Sequence, residues 1–203
     1  MFEGKFITFY GINNIGKSTH ARILCERLRQ EGYDPVYIKY PIYDLQPSGP
    51  HLNRILRDGA QKISEEELQL WFTINRHQHQ ETLKSMLMEG KTVVAEDYTG
   101  TGIAWGMAKD SNEEWLEQIN RYLLKPDLPI LIDGERTKQA IEADHIHETN
   151  DSLMRKSREA HLYCAKKYAW YIIKLQEKKL DTAKLVWEAV KEYFNYSGES
   201  NLD

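Results

Sequence analysis

The sequence predicts an α/β fold, with a mostly parallel sheet covered by helices on both faces. Three observations predict it. Short runs rich in β-branched and aromatic residues recur along the chain, with helical stretches between them. Strand–helix alternation of this kind favours parallel pairing and helices on either side. The first run leads into a glycine-bearing loop, YGINNIGKSTH, which opens the first helical stretch. A length of 203 residues suits one domain with a full core. That domain is expected over 1–196, followed by a polar tail at 197–203.

Taken in order, 5–10 (KFITFY) reads as the first strand and 18–32 as a helix ending at Gly32. Residues 35–40 (PVYIKY) read as the second strand. A long helix is expected over 64–89, with Ser64 as its cap and Gly90 as its stop. The runs 92–96 (TVVAE), 128–133 (LPILID) and 169–175 (AWYIIKL) complete five strands. Helical patterns over 151–167 and 182–194 flank the last of them.

Composition narrows the classes of function. A net charge of -4 gives no global basic field, so nucleic acid is not an expected partner. No stretch is long and apolar enough to span a membrane, and the first residues lack the shape of a signal peptide. Cys25 and Cys164 stand far apart in helical contexts and read as reduced core thiols, which points to a cytoplasmic location. The histidines have no zinc-ligand spacing.

Gly11-Ile12-Asn13-Asn14-Ile15-Gly16-Lys17-Ser18 fits G-x-x-x-x-G-K-[ST] between a strand and a helix, the context that this motif requires. Inward-pointing backbone N–H groups of such a loop, with Thr19 in the first turn, cradle phosphate oxygens at a helix N-terminus. Lys17 reaches the β- and γ-phosphates and Ser18 offers a hydroxyl to Mg²⁺. The expected ligands are ATP and Mg²⁺. The loop alone leaves kinases, ATPases and GTPases open. A motor or transporter ATPase would usually be longer, and about 200 residues with five strands suit a small nucleoside or nucleotide kinase with a three-layer P-loop kinase fold. No N-K-x-D guanine reader is present, which argues against a GTPase.

Nearly the whole chain resembles the thymidylate kinase family. FITFYGINNIGKSTHARILCERL is similar to its opening strand, loop and first helix. LWFTINRHQHQETLKSMLMEGKTVVAEDY is similar to its long helix and the strand that follows, with Leu70 or Trp71, Phe72, Arg76 and His79 in the L-F-x-x-x-R-x-x-H pattern. LLKPDLPILID resembles its P-D-L strand, and SLMRKSREAHLYCAKKYAW the helix after its lid. The resemblance implies phosphorylation of a pyrimidine deoxynucleoside monophosphate, dTMP to dTDP, by a homodimer joined through the long helices. It implies that Phe72 stacks on the acceptor base and that Arg76 reads its edge. Tyr43, Arg54, Tyr98, Thr101 and Trp105 would bound the acceptor. A lid at about 134–150 would bring Arg136 to ATP, and Glu96 would bind the metal with Ser18. Lys17, Glu96 and Asp97 are the expected catalytic residues. Adenine is expected against backbone near 175–180.

The chain departs from the family pattern in four places. The family's D-R-Y stands here as Glu96-Asp97-Tyr98, so a carboxylate occupies the place of a phosphate-gripping arginine. Pro-Arg after the second strand is Pro41-Ile42. The lid is poor in arginine, with His145-Ile146-His147-Glu148 at D-R-x-E. The loop carries Asn13 in place of an acid, and Tyr10 precedes its first glycine. Arg54, Arg57, Arg136, Lys138, Arg155 and Arg158 are the cations that would compensate. The departures leave two other readings open: a deoxynucleoside kinase acting on an uncharged acceptor, and a nucleotide-binding protein with little kinase activity.

Overall fold

The computed structural model describes residues 3–57, 63–135 and 151–199. Five strands, β1 (Phe6–Tyr10), β2 (Pro35–Lys39), β3 (Thr92–Glu96), β4 (Leu128–Asp133) and β5 (Tyr171–Lys174), form one sheet in the order β2-β3-β1-β4-β5. Every pairing in it is parallel. Seven helices are described: α1 (Lys17–Gln30), α2 (Ser48–Arg57), α3 (Glu65–Met88), α4 (Thr99–Ala108), α5 (Glu113–Asn120), α6 (Asp151–Lys167) and α7 (Lys179–Glu199).

The layering follows from side-chain alternation along the strands. Phe6 and Tyr10 of β1, Val93 and Ala95 of β3 and Leu131 of β4 face a core shared with α3, α4, α5 and α6. Ile7 and Phe9, Val94, and Ile130 and Ile132 face the opposite core, shared with α1 and α7. A strand buried on both faces is apolar along most of its length, which is why TVVAE and LPILID read as near-continuous runs, with Glu96 and Asp133 at their carboxyl ends.

The expected strands and the long helix stand in place. Ser64 caps α3 by accepting from Glu67 N–H at 3.1 Å. The last helix runs from Lys179 to Glu199, longer at both ends than the expected 182–194 and reaching into the segment read as a tail. α2, α4 and α5 were given no helix boundaries by the sequence pattern. Cys25 and Cys164 are buried free thiols, as expected, and burial pushes them up to about 11 and about 12. Most of the expected lid, with Arg136, Lys138, His145, His147 and Glu148, lies outside the described residues. No helix among the described residues is long and apolar enough to cross a membrane.

Candidate active site

β1 and β3 are neighbours in the sheet, Phe9 in register with Glu96, yet the chain leaves them toward opposite faces, through α1 and α4. A crevice opens between such strands at their carboxyl ends, where ligands of open α/β sheets bind. The loop 11–16 rims one side of it and Glu96-Asp97 the other.

The loop's backbone is set by a few residues. Gly11 has φ +136, and a Cβ there would lie 2.6 Å from the Ile132 carbonyl oxygen, so only glycine fits. Ile12 and Ile15 bury their side chains in the α1 core, which leaves their backbone for a ligand. Asn13, Asn14 and Thr19 face solvent. Lys17 is 6% exposed, and its Nζ donates to the carbonyls of Gly11 and Ile12, both at 2.9 Å. It also lies 3.4 Å from Asp97 Oδ1. Asp97 itself has φ +60 and accepts from Thr101 Oγ1 at 3.2 Å. The lysine thus bridges the loop to the far wall of the crevice.

Glu96, the last residue of β3, is fully buried. Its Oε1 accepts from Ser18 Oγ at 2.9 Å and Tyr37 OH at 2.9 Å, and pairs with Lys39 Nζ at 2.7 Å. Its Oε2 is buried without a hydrogen-bond partner among the described residues. A buried carboxylate oxygen left unpaired is costly, and a cation offsets that cost. One carboxylate beside one hydroxyl is the donor set that Mg²⁺ uses when phosphates and water complete its shell. The residues therefore fit Mg²⁺, which Ser18 and Glu96 would hold. Among the described residues no cluster of three or more His, Cys, Asp or Glu offers a denser metal site. Burial raises the Tyr37 pKa, and the neighbouring Glu96 adds to it. Burial works against the Lys39 ammonium, but the Glu96 hydrogen bond and charge outweigh it and raise the pKa.

The second half of the crevice is built on α3. Arg76 is 3% exposed, its Nη1 donates to Asn120 Oδ1 at 3.1 Å, and its Cζ lies 5.9 Å from the Phe72 ring centroid. Burial lowers its pKa, and the surrounding Tyr98, Tyr10 and Tyr40 oppose that shift. Arg76 Nε has no hydrogen-bond partner among the described residues. The guanidinium lies against α4 where Gly102 leaves room, since a Cβ there would meet Nη2 at 2.8 Å. Asn75, fully buried, ties α3 to the loop after β2. It accepts from Ile42 N–H at 2.8 Å and donates to Ile42 O and Ser48 Oγ, each at 2.9 Å. That loop carries Tyr43, partly buried, with the Arg57 guanidinium 6.0 Å from its ring centroid.

A glycine loop at a helix N-terminus on one wall and a planar donor fork beside an aromatic ring on the other are groups whose chemistry suits phosphates and a base. The family model for thymidylate kinase matches residues 9–186. The chain belongs to the thymidylate kinase family. It is 32% identical over 181 residues to a "Probable thymidylate kinase" of Thermococcus onnurineus, covering 80% of this chain and 85% of that one. It is 31% identical over 127 residues to a thymidylate kinase of Plasmodium falciparum, covering 62% and 60%. A match to a viral relative, of Invertebrate iridescent virus 6, takes in 64% of that protein. The fold matches a solved thymidylate kinase from Candida albicans with a TM-score of 0.72 at 22% identity, over 95% and 93% of the two chains. Homologues and family are consistent with ATP-dependent phosphorylation of dTMP to dTDP.

Set against the thymidylate kinase pattern, the structure brings Lys17, Ser18, Glu96 and Asp97 together, with Thr101 hydrogen-bonded to Asp97, and holds Phe72 and Arg76 together on α3. Four further residues have these surroundings in the fold. Tyr98, read as a wall of the acceptor pocket, is 0% exposed and packs edge-on against Phe6, so its aromatic ring belongs to the core. Arg158, read as a spare cation, holds Asp133 at the end of β4 through two hydrogen bonds of 2.6 and 2.9 Å. His79 pairs with Tyr40 OH at 2.9 Å inside the fold. Arg54 points to solvent on α2. Trp105 is partly buried on α4. Tyr37, Lys39, Asn75 and Asn120 were missed because each acts across 33 to 59 residues of sequence, with no local motif to mark it.

Proposed function

We propose that this chain transfers the γ-phosphoryl group of ATP to the 5′-phosphate of dTMP, with Mg²⁺, as a cytoplasmic homodimer. The observation that carries the reading is the pairing of Ser18 with Glu96 at 2.9 Å beside Lys17, in one crevice with the Phe72–Arg76 pair of α3. Exposed Leu70 and Ile74 on α3 support the dimer, and the two buried free thiols support a reducing compartment.

Phosphoryl transfer of this kind is mostly positioning and neutralisation of charge. Loop backbone N–H groups and the α1 N-terminus hold the donor phosphates. Lys17 exchanges its carbonyl contacts for phosphate oxygens. Ser18 and Glu96 would hold Mg²⁺, which would supply neutralisation of the developing phosphate charge. Phe72 stacks on the thymine ring while Arg76 presents donors to its edge. Asn120 holds the arginine plane in that orientation. Asp97 keeps Lys17 directed across the crevice.

ADP release with ATP and Mg²⁺ tests this when measured in parallel on dTMP, dUMP, dCMP, dGMP and thymidine. Turnover is expected on dTMP above the others. Turnover on thymidine alone would overturn the reading and make Asp97, at the arginine position, the base for a bare hydroxyl. Silence on all five acceptors would overturn it in favour of nucleotide binding without transfer.

A further inference from the structure

Lys39 ends β2 directly opposite Glu96 in the sheet register. Its side chain is 53% exposed, and its Nζ stands 2.7 Å from Glu96 Oε1 at the mouth of the crevice. That oxygen already accepts from Ser18 and Tyr37. Three donors therefore crowd one oxygen while Oε2 has none. An acceptor phosphate entering here meets two carboxylates, Glu96 and Asp97, and Ile42 stands where an arginine would be expected. Lys17 stands between the loop carbonyls and Asp97, and in the reading above it turns to the donor phosphates, so the acceptor phosphate needs another cation. A dianion beside two carboxylates is repelled unless a further cation stands between them. Lys39 is a cation on the acceptor side, on a flexible stem, one strand from Asp97.

We propose that Lys39 is the ligand of the acceptor 5′-phosphate, released from Glu96 when a divalent cation takes that carboxylate. The inference rests on the nucleotide-acceptor reading above. A compact ammonium needs no fixed fork geometry, so one lysine serves where a planar arginine would need a matched approach. The ammonium holds Oε1 while Oε2 is open to a cation, and the charge of that cation repels the ammonium, which couples filling of the donor side to readiness of the acceptor side.

Calorimetric titration of the full chain with dTMP and with thymidine, in Mg²⁺, tests this on wild type, Lys39→Met and Lys39→Arg. Lys39→Met is expected to weaken dTMP binding by about 10-fold or more, the worth of one charge-assisted hydrogen bond. Thymidine affinity should stay within about 2-fold, and Lys39→Arg should retain dTMP binding, as follows from a purely electrostatic contact. Equal losses for both ligands would overturn the proposal and leave Lys39 as a brace for Glu96. Unchanged dTMP affinity in Lys39→Met, with wild type still preferring dTMP, would overturn Lys39 alone. A wild type that binds thymidine as tightly as dTMP would overturn the reading beneath it.

Discussion

His161 on α6 has a 1% exposed ring whose Nδ1 lies 2.7 Å from Ser157 O, while Nε2 is buried without a partner among the described residues. Burial pulls its pKa down to about 4, against the Ser157 hydrogen bond, and the Lys17 charge adds to the lowering. An unfolded histidine titrates near 6.5. The unfolded chain therefore binds the extra proton between about pH 6.5 and 4, and stability must fall as pH drops through that window. The expected loss at pH 5 is on the order of 2 kcal/mol. Urea midpoints of wild type and His161→Gln between pH 7 and pH 5 check it. The wild type should lose more, and parallel curves would contradict the assignment. Among single residues, Lys17, Ser18 and Glu96 were legible because motif spacing and a strand end place them. Asn120 was not, because its use is to hold a guanidinium 44 residues away in sequence.

At the scale of elements, α3 is the scaffold of the acceptor side in the proposed reading. It carries Phe72 and Arg76 and, between them, Asn75, which holds the loop bearing Tyr43. Asn75→Ala would leave the partly buried Ile42 amide and carbonyl without their side-chain partner, a cost of about 1 to 3 kcal/mol. Chemical denaturation should show that loss. The dTMP KM should rise while the ATP KM stays put, since the P-loop does not touch this tether; an unchanged dTMP KM would contradict the scaffold role. Strands and long helices were legible from period and composition alone. α4 was not. Its TGTGIAWGMA carries Gly100, Gly102 and Gly106, which disfavour a helix locally. Their reason is tertiary: Cβ atoms there would strike Trp170 at 2.6 Å, Arg76 at 2.8 Å and Leu116 at 2.7 Å. Close approach of neighbours, invisible in a local window, overrides propensity.

At the scale of the whole molecule, one parallel sheet presents donor and acceptor walls at a single edge, the P-loop after β1 and Glu96-Asp97 after β3, with α3 closing the far side. Two of the departures from the family pattern fall where an arginine would meet the acceptor phosphate and the others on the lid and the loop, while the donor wall keeps its lysine, hydroxyl and carboxylate. The central claim is that this altered crevice still passes a phosphoryl group to a nucleoside monophosphate. Chromatographic separation of the products formed from ATP, Mg²⁺ and dTMP tests that most directly, with Lys17→Ala as the comparison. Equal amounts of ADP and dTDP from the wild type are predicted, with a rate at least about 100-fold lower in the variant; ADP without dTDP, or an undiminished rate in Lys17→Ala, would contradict the account.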